Sequence, residues 1–324
     1  MPYELPPHEF FPPHHRRGLF YSDAWQEAWL AAYGEHPDIQ IHPEAGVYTY
    51  RQRLKRILPI RSASLIGATS PATRSIRAEY TCLTEEALHA SLKASWDQLV
   101  LPDVLVGSED EKRIHRFAKS NNLTLRQTEP EPVYAVDLRN GTFNDYLAAL
   151  GKNTRLRLYN RRKRLEQKGK VTIENLWPDR ERFYSILNEF HQQRWGRPCY
   201  TGRNKALIDA LLTRFDDQKM SVDMSVMNVA SEPASAVLDI QTGGRLYNLQ
   251  SGFSTSEHPG LSLGTLHLGY QLEAAFATSR EVYDFMAGAG KATQYKHHLA
   301  THVAAFTAFR LVKSPVLKLL YRFK

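Results

Sequence analysis

A chain of 324 residues with 42% hydrophobic and 23% charged residues has the composition of a folded protein, and its length suits two domains or one large α/β unit. Its two cysteines, Cys82 and Cys199, lie far apart without CxxC spacing, which argues against a disulfide framework or a zinc cluster and fits a reducing compartment. A net charge of +8 favours anionic partners such as nucleotides, nucleic acid or acidic membrane, with a plain solvated basic surface as the alternative.

No run approaches the roughly 20 apolar residues that span a bilayer. The Pro- and His-rich start lacks the basic and apolar regions of a signal peptide, so the expected location is cytoplasmic. Residues 1–18 read as an extended lead-in. Residues 22–33 read as a helix, with Ser22 as N-cap and Trp25, Trp29 and Tyr33 on one face. Strands follow between Ile39 and Gly67. Residues 84–98 read as a helix, LVLPDVLVG as a strand, and Ser108–Asn121 as a helix with Glu111 in the capping-box position. PVYAVDL is the next strand.

A long helix is expected from Thr142 to Lys168, with Phe143, Tyr146, Leu147, Leu150, Leu158 and Leu165 on its apolar stripe. VTIENL is a strand, Pro178 to Trp195 a helix, and KALIDALLTRF another. Three strands follow, joined by the hairpin-like connections SEP and GG. A polar loop leads into the helix LSLGTLHLGYQLEAAFATS. The strand EVYDFMA, the glycine-rich turn GAGKATQYK and a strand near HVAAFTAFRL complete the order. The expected division is an extended segment 1–18, a domain 19–139 and a domain 140–324 that ends in a basic amphipathic tail, 310–324.

The stretch 245–264 runs from a strand through a loop into a helix start. Such a start leaves unpaired N–H groups and a partial positive charge, which suits a pyrophosphate. Gln250, Gly260, Leu261, Ser262, Leu263 and Gly264 are the candidate donor-binding residues, and glycines there admit a close ligand. An ordinary Pro-Gly turn before a core helix is the competing reading.

This stretch resembles the acyl-CoA pyrophosphate loop of the GNAT superfamily, Q/R-x-x-G-x-G/A. In Glu257-His258-Pro259-Gly260-Leu261-Ser262 the glycine matches, Ser262 is small, and Glu257 departs from the expected Gln or Arg. With RLRLYNRRKRLEQKG (155–169), FHQQRW (190–195) and YDFMAGAGKATQYK (283–296), the C-terminal half resembles the CelD-like acyltransferases associated with cellulose and exopolysaccharide biosynthesis. Those are relatives of the FemABX aminoacyltransferases. SIRAEY (75–80) is the best local match of the N-terminal half.

The resemblance implies an α/β fold with a mixed sheet and two GNAT-like units in tandem, the C-terminal one better defined. It implies acyl-CoA, acetyl or longer, as co-substrate and no permanently bound cofactor. The acceptor would be a small molecule or a lipid-linked precursor of the cell envelope or of a polysaccharide. Transfer from aminoacyl-tRNA and a non-catalytic role at a membrane surface are the alternatives.

Acyl transfer to an amine needs a proton acceptor, and the departing thiolate gains from a proton donor. By the resemblance, Tyr295 takes the donor's place; a packed tyrosine is the alternative. Asp239, flanked by Leu238 and Ile240, suits a base if buried, and Asp284 would orient Lys296 or the acceptor unless it forms a structural ion pair. Lys296 would hold a phosphate or carboxylate, with a plain surface lysine as the alternative. Glu79, a second base candidate, and Tyr80 come from the N-terminal half. His191, Arg194 and Trp195 share a helix face and would line an acceptor pocket. Nine Lys/Arg and one acid between residues 152 and 170 suit phosphates of tRNA, lipid-linked sugar or anionic lipid, or form a solvated face. The tail 310–324 either lies on an anionic membrane surface at the inner face or docks on the core. The 13 histidines show no HExxH spacing, and no metal is expected.

Overall fold

Local capping chemistry starts several helices. Ser22 Oγ accepts from Trp25 N at 3.1 Å and begins α1 (Asp23–Tyr33), whose Trp25, Trp29 and Tyr33 are buried. This is a computed structural model, and it describes residues 18–54, 56–214, 220–255, 260–287 and 291–322. The expected lead-in up to residue 17, Glu257–Pro259 of the donor loop and Gly288–Gly290 of the glycine turn lie outside the described residues.

β1 (Ile39–His42), β2 (Val47–Leu54) and β3 (Leu58–Leu65) form an antiparallel meander. A crossover through α2 (Glu85–Ser91) brings β4 (Gln98–Leu105) parallel to β3. The helix expected to reach residue 98 ends at Ser91, because Trp96 turns back into the core and its Nε1 donates to Ser91 O at 2.8 Å. Ser108 Oγ accepts from Glu111 N at 3.2 Å at the head of α3 (Glu109–Ser120), and β5 (Thr124–Gln127) and β6 (Glu131–Asp137) follow.

The long helix expected from Thr142 to Lys168 is broken. A capping box of Thr142 and Asp145 starts α4 (Phe143–Ala149), and Leu150 then turns extended, with ψ 144°. The chain resumes as α5 (Lys152–Arg155), a π-helical stretch Leu156–Asn160 and α6 (Arg162–Glu166). The break lets the apolar residues separate: Leu158 joins a cluster with Tyr146 and Leu268, while Leu165 joins one with Met227 and Leu263.

The remaining elements are β7 (Val171–Asn175), α7 (Arg180–Trp195), α8 (Gly202–Leu212), β8 (Ser221–Val229), β9 (Glu232–Thr242) and β10 (Arg245–Phe253). After them come α9 (Leu263–Phe276), β11 (Val282–Asp284), α10 (Lys291–Leu299), β12 (His302–Val312) and α11 (Pro315–Arg322). No described helix is long and apolar enough to cross a membrane.

The chain forms two compact units. Of the described residues, one holds 18–133, 203–214 and 304–322; the other holds 134–202 and 220–303. In the first, the strands run β1-β2-β3-β4-β12 with β5 also on β12. Leu99, Leu101, Ile114, Phe117, Phe309 and Leu311 are among its buried core residues. In the second, the order is β6-β11-β10-β9-β8-β7, with one parallel pair, β10 and β11, among antiparallel neighbours. The expected mixed α/β class holds.

Helices cover both faces of the second sheet. A Cβ at Gly252 would meet Leu187 and Phe190 of α7 at 3.0 Å, so that face of β10 belongs to α7. Ser235 of β9, adjacent to the Gly252 partner Ala236, points the other way and touches His267 of α9. α9 sits close: a Cβ at Gly269 would lie 2.1 Å from Leu158 O.

Candidate active site

Within the second unit, the strand pair at its centre separates. β10 and β11 pair in parallel only from Arg245, Leu246 and Tyr247 to Val282, Tyr283 and Asp284. β10 then continues to Phe253 without β11. At the point of separation the register on β9 skips from Asn248 opposite Asp239 to Gln250 opposite Leu238, leaving Leu249 as a bulge residue. Among the described residues, no strand covers this far edge of β10. Gln250 sits on it half-buried, and its Oε1 accepts from Ser251 N at 3.1 Å.

The edge leads to the start of α9. Gly260 has φ +79°, and Ser262 is left-handed at φ +58°. Thr265 N and Leu266 N donate to Ser262 O, while Leu263 and Gly264 stand in the first turn, where N–H groups lack helical partners. Leu261 and Leu263 bury their side chains in the core, so only their backbone is available to a ligand. Gly264 is required by packing, since a Cβ there would lie 2.6 Å from Phe253 Cδ1.

Positive charge at this helix start comes from the basic run. Arg161 Nη1 donates to Ser262 Oγ at 2.8 Å. The Arg162 guanidinium lies between the rings of Tyr159 and Tyr270, 4.4 and 3.7 Å from their centroids, and pairs with Glu273. Its buried Nε and Nη2 have no hydrogen-bond partner among the described residues.

The end of α7 approaches the same strand. His191 Nε2 lies 3.2 Å from Ser251 O, and burial lowers the imidazole pKa below its ordinary value. The Arg194 guanidinium stands 4.8 Å from the ring of Phe253 and 4.8 Å from that of Trp195, which is 61% exposed. Tyr295 of α10 is half-buried. Burial raises its pKa, and the Arg194 charge partly offsets the rise. Phe253 thus touches both α7's end and α9's start, and Gln250, Gly260–Gly264, His191, Arg194 and Trp195 gather at one strand end, while Tyr295 packs against the core cluster of Phe285 and Leu299 within electrostatic reach of Arg194.

Asp284 and Lys296 serve the next turn instead. Asp284 is fully buried; its Oδ2 accepts from Arg245 Nη1 at 2.8 Å and its Oδ1 from Met286 N at 2.8 Å. Lys296 Nζ, also buried, donates to Met286 O at 2.9 Å and Ala287 O at 3.3 Å. Two charged groups therefore hold Met286 at φ +62°, a left-handed conformation unusual for its type. Asp284 pairs with Arg245, and Asp284 and Lys296 each also bond to backbone.

Asp239 is 2% exposed beneath α9. Its Oδ1 accepts from Asn248 Nδ2 at 2.8 Å and its Oδ2 from the Tyr283 hydroxyl at 2.7 Å. Gln271 Nε2 donates to Asp223 at 2.9 Å and to Asp239 at 3.5 Å. Burial pushes the Asp239 carboxyl up to about 7 and also raises that of Asp223. Asp239 holds Asn248, the residue just before the bulge, from below. Beside it, His267 is wholly buried between Ser225 Oγ at 2.9 Å and Ser235 Oγ at 3.1 Å, and burial holds its pKa at about 3.

Glu79 and Tyr80 belong to the first unit. Glu79 is buried, 3.8 Å from Arg77 Nε; the same guanidinium binds Asp103 at 2.5 Å and Glu131 at 2.8 Å. Tyr80, at φ +62°, meets the ring of Phe306 edge-on at 4.8 Å.

The sequence reading missed Arg161 as an individual, Asn248, Arg245 and Tyr283. All four lie within stretches the sequence singles out, 155–169, 245–264 and 283–296, but nothing marks them there as individual residues.

In the second unit a parallel strand pair thus opens at a bulge beside the start of a helix that packs back on the sheet. Residues 152–297, a little under half of the chain, match the family described as acetyltransferase (GNAT) domain. Nothing among curated proteins matches the chain in sequence. Among solved structures, FemX is similar at 12% identity with a TM-score of 0.52, over 85% of this chain and 86% of that one. L-PGS from Bacillus licheniformis is similar at 12% identity and TM-score 0.52, over 92% and 94%. A conserved protein of unknown function from Bacteroides thetaiotaomicron gives 11%, 0.52 and 90% of both chains. At these identities the likeness is one of fold.

Proposed function

We propose that this chain is an acyltransferase that moves an acyl group from acyl-CoA or another thioester onto an amine or hydroxyl of a cell-envelope or polysaccharide precursor, in the cytoplasm. The observation that carries the reading is the bare edge of β10, which runs from the Leu249 bulge to the cationic start of α9. Donor phosphates fit the first turn of α9 beside Arg161. The donor's amide arm can hydrogen-bond to the open strand edge, and backbone N–H groups at the bulge suit the carbonyl oxygen as it gains charge. Tyr295 stays protonated at neutral pH and can pass its proton to the leaving thiolate, with Arg194 steadying the phenolate. His191 is neutral there; with Nε2–H given to Ser251 O, Nδ1 remains to take the acceptor's proton. Asp239, Asp284 and Lys296 are positioning residues in this scheme.

The test is thermal unfolding with acetyl-CoA, longer acyl-CoAs and CoA, repeated on Gly260→Glu, which at φ +79° carries backbone strain and is therefore read against its own ligand-free Tm. A donor at about 100 times its Kd stabilises by roughly 2.7 kcal/mol, a shift of a few degrees. A shift lost in the variant supports the reading; no shift with any CoA species overturns the thioester donor. Aminoacyl-tRNA is the second reading, favoured by the nine Lys/Arg between residues 152 and 170. Activity that survives RNase treatment removes it.

A further inference from the structure

The unit made of residues 18–133, 203–214 and 304–322 carries a small apolar core at one edge. There Leu317 of α11 is fully buried with Ile60 and Val312, and Leu54, Leu58 and Tyr321 pack against them. Tyr321 is further fixed by its hydroxyl, which donates to Gln98 Oε1 at 3.1 Å, and by the Arg126 guanidinium 4.5 Å from its ring. Leu317 and Tyr321 stand four residues apart, so α11 docks on the unit through one face.

Its outer face is not polar. Val316, Leu319 and Leu320 are 55%, 56% and 42% exposed. A helix resting on a protein ordinarily turns charge to water on that side. A second segment adds to the same surface. Leu54 and Leu58, both packed on the core under α11, flank the β2–β3 turn, and that turn holds out Ile57 at 82% exposure. Bare aliphatic side chains from two places far apart in sequence therefore gather around one small core.

The charges around them are mostly positive, with Asp97, whose carbonyl accepts from Lys313 N, as an acidic neighbour. Arg53 near the end of β2, Arg56 of the turn, and Arg310 and Lys313 ahead of α11 are exposed. No acidic residue occurs between residues 51 and 61 or between residues 310 and 322. A second copy of this chain would bring the same cations against these. A lipid leaflet instead offers hydrocarbon to the aliphatic groups and phosphate to the cations.

We infer that α11 and the β2–β3 turn together form a docking surface for an anionic lipid bilayer, with Ile57, Val316, Leu319 and Leu320 entering the interface. The inference goes beyond the transferase reading and stands whichever donor is used.

Cosedimentation of the full chain with vesicles tests it. Binding is expected with phosphatidylglycerol-containing vesicles, to weaken as salt rises, and to be absent with phosphatidylcholine alone. Ile57→Asp and Leu319→Asp should each weaken binding about tenfold or more, with thermal unfolding unchanged because both side chains already face solvent. The double variant Arg53→Glu, Arg56→Glu should also lower it about tenfold or more. No binding to the anionic vesicles, equal binding to both vesicles, or binding indifferent to all these substitutions would overturn the proposal. A dimer without vesicles that Leu319→Asp dissolves would overturn it in favour of self-association.

Discussion

The two parallel strand pairs, β3 with β4 and β10 with β11, are each joined by a strand–loop–helix–strand crossover, and the chain finishes the two in opposite ways. After β3, the connection folds into the unit's own interior. Ser70, Thr73, Ser75, Glu79, Tyr80 and Leu83 are buried, and the Tyr48 hydroxyl donates to Ala68 O at 2.9 Å. Arg77 consumes the local carboxylates, and the crossover helix α2 is seven residues long. After β10, the helix runs fourteen residues, and among the described residues no strand covers the edge behind it. One copy of the plan spends its polar groups on itself. The other keeps backbone donors unspent, which is the condition for binding something else.

That contrast can be broken most severely at Gly269. Alanine there must push against Leu158 O, so Gly269→Ala should cost about 3 kcal/mol in urea unfolding and unseat α9. A loss near zero would mean α9 is not held as tightly as described. Next in size, Tyr295→Phe should lower kcat about 100-fold with KM little changed, while Tyr80→Phe, in the filled crossover, should stay within about twofold. Equal losses would place chemistry in both crossovers. Arg161→Gln should raise donor KM about tenfold at constant kcat, as expected for one charge-assisted phosphate contact.

The smallest effect is a slope. Asp239, pushed up to about 7 by burial, keeps its proton in the fold where the unfolded chain has lost it, so stability falls as pH rises from about 4 to 7. His267, held at about 3, works the other way: stability falls as pH drops below about 6.5. Between those limits the two oppose one another. Asp239→Asn removes the first, so the variant should lose more stability than the parent on going from pH 7 to pH 5 in urea titrations.

Much of this was legible where the chemistry is local. Ser22, Ser108 and Thr142 start helices because a side-chain oxygen three residues ahead of an N–H is a short-range arrangement. The break at Leu150 was hidden, since leucines keep their spacing on both sides and only their destinations differ. In the site, the residues around the α9 start could be picked from the strand–glycine–helix pattern. The bulge at Leu249 could not, because it exists only in the register with β9. Nor could the partner of Arg161, a serine 101 positions away. Asp239 was recognisable as a carboxylate between apolar neighbours, but its enclosure by Asn248, Tyr283 and Gln271 draws on two further strands and a helix.

β12 has a consequence for how the protein is made. It lies between β4 and β5 and pairs with both, so the first unit's sheet cannot close until residues 302–312 exist. At about 5–20 residues per second, β4 waits on the ribosome for roughly 10 to 40 s with Leu99, Leu101 and Val104 lacking their eventual neighbour. During synthesis the N-terminal segment is thus an unclosed sheet, a natural client for chaperones, and the last strand to emerge is the one that completes the first unit begun.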